Sequence, residues 1–352
     1  MTGARSPRGS KSAAWKEAAG FNPQRSSTAD ALTSIDRRLL DALQRDFPLT
    51  ARPFAAIGRR LGLTEEEAIA HVKRLKGDGV IRQMGAIFDT RALGYRSTLV
   101  AMRVPPERVG QAAAAVSRHP GVSHNYRRDH AWNLWFTLAV PPEEDLEGTV
   151  AHLAQEAGGY PYRSLPALRV FKIGVRLTLG DGGEAADAQS TAAPSPYPLS
   201  PRDRAFVHAL QEDIEIVHEP FTAAAQRLGV SQKEVFDWLR QAAAAGWLRR
   251  FAAILNHRRV GYGANGMVAW RVPPQRLEEV AAQASTFPQV SHCYERPTFI
   301  DWPYALFTMI HARSEGECRA VAEDISRRTG VADYAILFST REYKKERVRY
   351  FA

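Results

Sequence analysis

With 352 residues, 45% hydrophobic and 24% charged, the chain is long enough for two or three domains, each with its own core. No stretch approaches the roughly eighteen apolar residues of a membrane span, and Cys293 and Cys318 supply neither a disulfide framework nor a metal-spaced cluster. The net charge of +9 calls for an anionic partner, either nucleic acid or a polyanionic small molecule, and composition does not choose between them.

Residues 1–30 are basic and rich in Ser and Gly without an apolar signal core, so they read as a disordered arm and the chain as cytoplasmic. Residues 31–95 predict a helix-turn-helix: a helix over Ile35–Arg45, another from Phe54, Gly62 in the turn, and a third helix running to Lys76. Thr64 and Glu67 form a capping box at its start, and Val80–Phe88 follows as a wing strand. Residues 96–180 then alternate as strand Ser97–Val104, helix Glu107–Ser117, strands Val122–Arg128 and Asn133–Val140, helix Glu143–Gln155 and strand Leu168–Leu177.

Residues 181–198, rich in Gly, Ala, Ser and Pro, read as a flexible linker. The order repeats beyond it. In residues 199–263 Phe221–Leu228 leads to Gly229, a Ser231/Glu234 capping box and a wing over Trp247–Leu255. Residues 264–352 give strand Gly266–Val272, helix Gln275–Ser285, strands Val290–Arg296 and Tyr304–Ala312, helix Glu315–Arg328 and strand Tyr334–Tyr343. The fold class is α+β: two tandem units, each a winged helix-turn-helix followed by a ferredoxin-like (βαββαβ) domain, able to pair as a pseudo-dimer within one chain.

The duplication is visible in residue identity. Ile87–Tyr95 matches Ile254–Tyr262, and Val104-Pro105-Pro106 matches Val272-Pro273-Pro274. Val122-Ser123-His124-Asn125-Tyr126-Arg127-Arg128 returns as Val290-Ser291-His292-Cys293-Tyr294-Glu295-Arg296. The offset is 168 between His124 and His292 but 171 between Thr137 and Thr308, which implies a three-residue insertion in the second copy. Strand side chains alternate, so His124, Tyr126 and Arg128 share one sheet face, as do His292, Tyr294 and Arg296, while Cys293 points away. A titratable imidazole, a phenol and a fixed cation repeated together indicate a site and not merely a fold.

A helix-turn-helix followed by a ferredoxin-like domain resembles the Lrp/AsnC regulators. The repeated His-x-Tyr-x-Arg strands, followed by Asn133-Leu134-Trp135-Phe136-Thr137-Leu138 in one half and Tyr304-Ala305-Leu306-Phe307-Thr308-Met309-Ile310-His311-Ala312 in the other, resemble the two subunit types of the siroheme decarboxylases. The likeness runs from Leu32 to Ala352 apart from the linker. It implies loss of carbon dioxide from the acetates at positions 12 and 18 of siroheme, giving 12,18-didecarboxysiroheme for haem d1 or the alternative haem b route. The other readings are a haem-responsive Lrp/AsnC-type transcriptional regulator and a haem-binding chaperone.

Siroheme is an octacarboxylate, which suits a basic chain, and its iron belongs to the substrate, so no separate cofactor or metal is expected. Protonation of the macrocycle and of the nascent methyl carbon needs an acid titrating near neutrality, which assigns His124 or His292. Axial ligation of the substrate iron is the other role open to either one. Arg128 and Arg296 are expected to clamp carboxylates, and Tyr126 and Tyr294 to donate to one or pack on the ring. Arg127, His130, Trp135, Trp302, Tyr304, Lys344 and Lys345 are further candidates for substrate contact. Arg127 against Glu295 favours the first copy for an anion. In the helix that would read DNA, Thr64-Glu65-Glu66-Glu67 repels phosphate, so no specific DNA binding is expected.

Overall fold

The structure is a computed structural model and describes residues 32–173, 199–256 and 264–351. The arm expected over 1–30, the whole linker expected over 181–198, and the 257–263 part of the second repeat lie outside the described residues.

The first helix-turn-helix comprises α1 (Ser34–Arg45), α2 (Pro53–Leu61) and α3 (Glu65–Gly77), then β1 (Ile81–Phe88). Gly62 closes α2 in the left-handed region at φ 76, where a side chain would be strained, and the Thr64/Glu67 capping box opens α3 as its sequence predicts. The second copy repeats this with α6 (Pro201–Leu210), α7 (Thr222–Leu228), α8 (Gln232–Ala244) and β7 (Leu248–Leu255), including Gly229 at φ 65 and the Ser231/Glu234 box. The wings do not fold back on their own units. β1 and β7 pair antiparallel with each other, Met84 opposite Ala253, and make one ribbon shared by both halves. A common apolar core follows, in which Phe47 of the first half lies 6.4 Å from Phe221 and 5.2 Å from Phe251 of the second. Aromatic burial of this kind is worth about 2–3 kcal/mol per ring, so the two helix-turn-helices behave as one body.

The ferredoxin-like units are β2 (Arg96–Met102), α4 (Val109–Ser117), β3 (Val122–Arg128), β4 (Leu134–Val140), α5 (Leu146–Glu156) and β5 (Tyr162–Pro166), and β8 (Ala264–Trp270), α9 (Leu277–Ser285), β9 (Val290–Glu295), β10 (Leu306–Ala312), α10 (Glu315–Thr329) and β11 (Tyr334–Lys345). An extra strand, β6 (Arg169–Ile173), follows β5. All nine strands form one sheet in the order β5-β2-β4-β3-β11-β8-β10-β9-β6.

Its construction is an exchange. β11 pairs with β8 of its own unit through Tyr334–Phe338 and then with β3 of the other unit through Ser339–Lys345. The segment after α5 does the same: β5 pairs with β2, and β6 crosses to β9. β6 lies within the strand expected over Leu168–Leu177, whose last four residues lie outside the described ones, and β5, from Tyr162, is an additional strand not expected from the sequence. Pro161 and Pro166 bracket β5, and proline is a poor strand signal except at an edge such as this. Each unit packs its helices on one face, around Val100, Phe136 and Val150 in the first and Val268, Ile310 and Ile325 in the second. A fourth cluster, with Trp132, Trp135, Trp302, Phe307 and Leu337, draws on the helix-free faces of both units.

Candidate functional site

The two His-Tyr-Arg rows lie on these helix-free faces. Asn125 is turned the other way, its Nδ2 donating to the Ala113 carbonyl and Ser117 Oγ on α4, both at 3.0 Å. Cys293 is turned likewise, with Sγ 3.9 Å from the Ala281 carbonyl on α9. Regular alternation from these anchors puts His124, Tyr126 and Arg128, and His292, Tyr294 and Arg296, on the inner side. The rows are nearly congruent. The His and Tyr ring centroids are 6.1 Å apart in the first and 5.8 Å in the second. Each arginine sits over its tyrosine ring, Cζ to centroid 5.7 and 5.0 Å. Ser123 and Ser291 hydroxyls hold the histidine Nδ1 atoms at 3.0 and 2.8 Å.

The arginines have a structural duty that the motif does not announce. Arg128 Nη1 donates to the Leu337 carbonyl at 2.8 Å, and Arg296 Nη1 donates to the Leu165 carbonyl. Leu337 and Leu165 stand where β11 and β5 leave their own unit, so each arginine supplies a donor to an edge carbonyl and ties one unit to the other. Burial lowers both guanidinium groups to about 10, so they stay cationic at neutral pH. One nitrogen of each is thereby spent on the fold, while Nε of each has no hydrogen-bond partner among the described residues.

At the histidine end the rows converge. Burial first, then Lys345 and Arg82, hold His124 at about 4. Burial first, then His311, Arg249, Arg296 and His124, hold His292 at about 3. Burial and Lys345 hold His311 at about 4. Desolvation and like charge both disfavour the imidazolium, so all three rings are neutral at pH 7. His124 and His292, from separate repeats, thus feel one set of charges and form a basic cluster with His311, Lys345, and Arg82 and Arg249 of the β1–β7 ribbon. Its cations oppose protonation until an anion arrives.

Sequence reasoning missed His311, Arg82 and Arg249. Aligning Thr137 with Thr308 hid the first. The strands pair Trp135 with Tyr126 and Phe307 with Tyr294, so Thr137 corresponds to Met309 and His311 to Ala139. A one-residue slip exchanges the faces of a strand. The insertion is four residues rather than three: Arg128 N–H donates to the Asn133 carbonyl, whereas Arg296 N–H reaches Ala305.

The remaining candidates divide. Lys345 is in register with His124 and belongs to the basic cluster. Arg127 pairs with Leu134, a helix-side core residue, and so faces away from His124. Lys344 also faces the helices, its Nζ donating to the Ser117 and His119 carbonyls at 3.0 and 3.2 Å beyond the end of α4. Lys172 does the same beyond α9, at 2.8 and 3.0 Å from Ser285 and Phe287. Trp135 and Trp302 are buried with ring centroids 5.3 Å apart, in the apolar cluster drawn from the helix-free faces of both units. Tyr304 and His130 pack on Trp302 at 5.0 and 5.5 Å, beside the arginine end of the rows. The His130 Nδ1 accepts from the Trp132 N–H at 3.0 Å. Two surface clefts, of about 750 and 590 Å³, lie elsewhere, at Tyr160–Ser164 with Phe299 and at Tyr95 with Phe351.

Comparison with known proteins agrees with this architecture. The AsnC-like ligand binding domain family matches residues 92–172 and 259–344, and the "Siroheme decarboxylase NirDL-like HTH domain" family matches 36–82 and 203–249. A siroheme decarboxylase of Hydrogenobacter thermophilus is 40% identical over 316 residues, covering 90% of this chain and 94% of that one. The siroheme decarboxylase NirDL subunit of Paracoccus pantotrophus is 39% identical over 322 residues, covering 89% and 96%. The crystal structure of a siroheme decarboxylase NirDL in co-complex with an iron-uroporphyrin III analogue superposes with TM-score 0.72 at 35% identity, covering 91% of this chain and 95% of that one.

Proposed function

The chain belongs to the siroheme decarboxylase family, and from that premise we propose that it decarboxylates the acetates at positions 12 and 18 of siroheme, as a carboxy-lyase of the haem d1 branch. What carries the reading is the repeated His-Tyr-Arg row on the helix-free face of each unit, with His124 and His292 under the charge of Lys345, Arg82 and Arg249. An octacarboxylate complements that charge. Its carboxylates replace cation–cation repulsion with attraction, raise the histidine pKa values, and bring protons in with the substrate. Each step then balances as R–CH2–COO⁻ + H⁺ → R–CH3 + CO2. Electrons of the breaking C–C bond stay on the methylene carbon, and an imidazolium of His124 or His292 gives the proton. Tyr126 and Tyr294 flank the rings as donors; burial raises Tyr294 above its ordinary value and keeps its proton on. No cofactor of the protein enters this scheme, because the iron arrives with the substrate.

DNA recognition has little support. The first turn of α3 is engaged in the fold, with Glu65 buried, paired with Arg52, and 3.1 Å from His218 of the other half. Among the described residues no helix is long and apolar enough to cross a membrane. With both cysteines free and buried, a reducing cytoplasm is the proposed compartment, and the chain is its own pseudo-dimer, free to assemble further. The test is anaerobic incubation with siroheme, followed by product mass. Loss of two carbon dioxide units supports the reading. Siroheme bound but recovered intact points to a chaperone. Tight, salt-sensitive binding to one promoter in an anisotropy titration points to a regulator.

A further inference from the structure

On the reading that the basic cluster takes an octacarboxylate, we infer that Tyr350 is a positioning residue for the His124 corner. It anchors the segment after β11, Glu346–Phe351, and that segment holds Lys345, Arg82 and Ser123 around the imidazole.

The site end of the segment is the first argument. β11 stays paired with β3 to its last residue, Lys345 opposite His124. Both polar groups of the peptide joining Lys345 to Glu346 are then bound by neighbours of His124. Its carbonyl accepts from Arg82 Nη2, and its N–H donates to the Ser123 carbonyl at 2.7 Å. Ser123 is also the residue whose hydroxyl lies 3.0 Å from His124 Nδ1. One peptide thus fixes the lysine backbone, the arginine head group and the serine that orients the ring.

The far end is the second argument. Beyond Lys345 the chain has no regular structure before Tyr350, so its path depends on side-chain anchors. Arg347 supplies one, its Nη2 donating to the Ala86 carbonyl on β1 at 2.9 Å. Tyr350 supplies the main one. Its ring is buried in the helix-turn-helix core, with centroids 5.0 Å from Tyr95 and 6.5 Å from Phe88, and its hydroxyl is 2.7 Å from Thr90 Oγ1. Gln211, buried just beyond α6, turns both ends of its amide to the Tyr350 backbone. It accepts from the N–H at 2.7 Å and donates to the carbonyl at 2.9 Å. Next along, the Phe351 N–H donates to the Tyr95 hydroxyl at 2.7 Å. Ala86, Thr90 and Tyr95 come from the first half and Gln211 from the second, so the anchor is set in the body that both halves share. Opening the buried clasp would strand polar groups on both sides, which keeps it shut.

The third argument is preorganisation. A lysine at the unanchored end of a strand would lose backbone freedom on meeting a carboxylate, whereas Lys345 has lost that freedom on folding.

Calorimetric titration of the full chain with iron uroporphyrin III, joined to imidazole NMR titration of His124 and His292, tests this. Tyr350→Ala should weaken porphyrin binding about fivefold, the loss expected when one ion pair is no longer held in place. It should also raise the His124 pKa from about 4 as Lys345 and Arg82 withdraw. His292, set by burial, His311, Arg249 and Arg296 ahead of His124, should stay where it is. Tyr350→Phe keeps the ring and the backbone clasp and should remain near wild type. Gln211→Leu leaves the ring in the core; it should repeat the Tyr350→Ala result, and it decides the matter if thermal melting shows that Tyr350→Ala folds poorly. A lower melting temperature with porphyrin affinity and the His124 titration unchanged would make Tyr350 a packing residue only and overturn the inference. Equal shifts at both histidines would overturn it too. If wild type binds the porphyrin but leaves siroheme intact, the decarboxylase reading fails and both readouts still decide the role of Tyr350. If wild type does not bind it, the octacarboxylate reading fails and the His124 titration decides alone.

Discussion

The ends of the two His-Tyr-Arg rows, alike in backbone, differ in what surrounds the imidazole. His124 has Lys345 in register beside it and Arg82 nearby, the latter held by the Lys345 backbone carbonyl, a neutral group. His292 has Ile173 in register, a neutral His311 on the next strand, and Arg249, which is bound at 2.7 Å by the Asp89 carboxylate. The first corner therefore brings a lysine and an arginine to its imidazole, where the second brings an arginine already paired with Asp89. The arginine ends do not differ in this way, because Arg128 and Arg296 perform the same cross-unit task. Divergence is confined to the chemistry, and conservation between the repeats marks what holds the exchange together.

The most damaging changes should fall on the imidazoles. His124→Ala or His292→Ala is expected to slow decarboxylation by about 10²-fold if that ring is the acid. Single-turnover mass analysis separates the copies: a block in one variant alone assigns the donor, and a stop at the monodecarboxylated stage assigns one acetate to each. Full activity in both would falsify the proton-donor role altogether.

Arg128→Ala and Arg296→Ala should each destabilise the chain by about 2–3 kcal/mol, because a buried carbonyl loses a charged donor. Denaturant unfolding measures it. A loss of porphyrin affinity without a loss of stability would point to the clamp that the sequence suggested.

Acidification should weaken the fold through the same basic cluster. An unfolded histidine titrates near 6.5, against about 4 for His124 and about 3 for His292. Their contribution is fully present above the unfolded value and is lost as pH falls from there through the folded values, where the unfolded chain binds more protons. Lys345→Ile should relieve His124, raise its pKa and shorten that window, as an imidazole NMR titration can show. The same variant should weaken iron uroporphyrin III binding by about fivefold, while Ile173→Lys should strengthen it and depress His292 further. If both lysine changes act equally at either corner, the contrast drawn above is unfounded. Smallest of all, Lys344→Ala and Lys172→Ala should cost about 0.5–1 kcal/mol each by uncapping α4 and α9, with no change in porphyrin affinity.

Much of this architecture is legible in the residues themselves. Capping boxes at Thr64 and Ser231, the turn glycines Gly62 and Gly229, and the alternation from His124 to Arg128 are local signals, and they hold in the structure. What could not be read is partnership between distant segments. Nothing near Ile81–Phe88 says that its partner is Leu248–Leu255, and nothing near Arg128 says that its acceptor is Leu337. Lys344 and Lys345 look alike in sequence, yet alternation sends one to a helix end and the other to the basic cluster. His311 stands in the strand Tyr304–Ala312, but matching Thr308 to Thr137 sets it against Val140, and only strand register sets it against Ala139.

The exchange of final strands has a consequence for how such a site can evolve. A homodimer with a pocket spanning its axis receives every substitution twice, so a lysine favourable on one side is imposed on the other. Siroheme has no rotational symmetry to match such duplicated walls. Once both copies reside in one polypeptide, the pairing of β11 with β3 and of β6 with β9 preserves the dimer's geometry, while Lys345 and Ile173, or His311 and Ala139, mutate independently. Duplication here releases a constraint: the scaffold keeps its twofold plan, and the lining can become as lopsided as the molecule it receives.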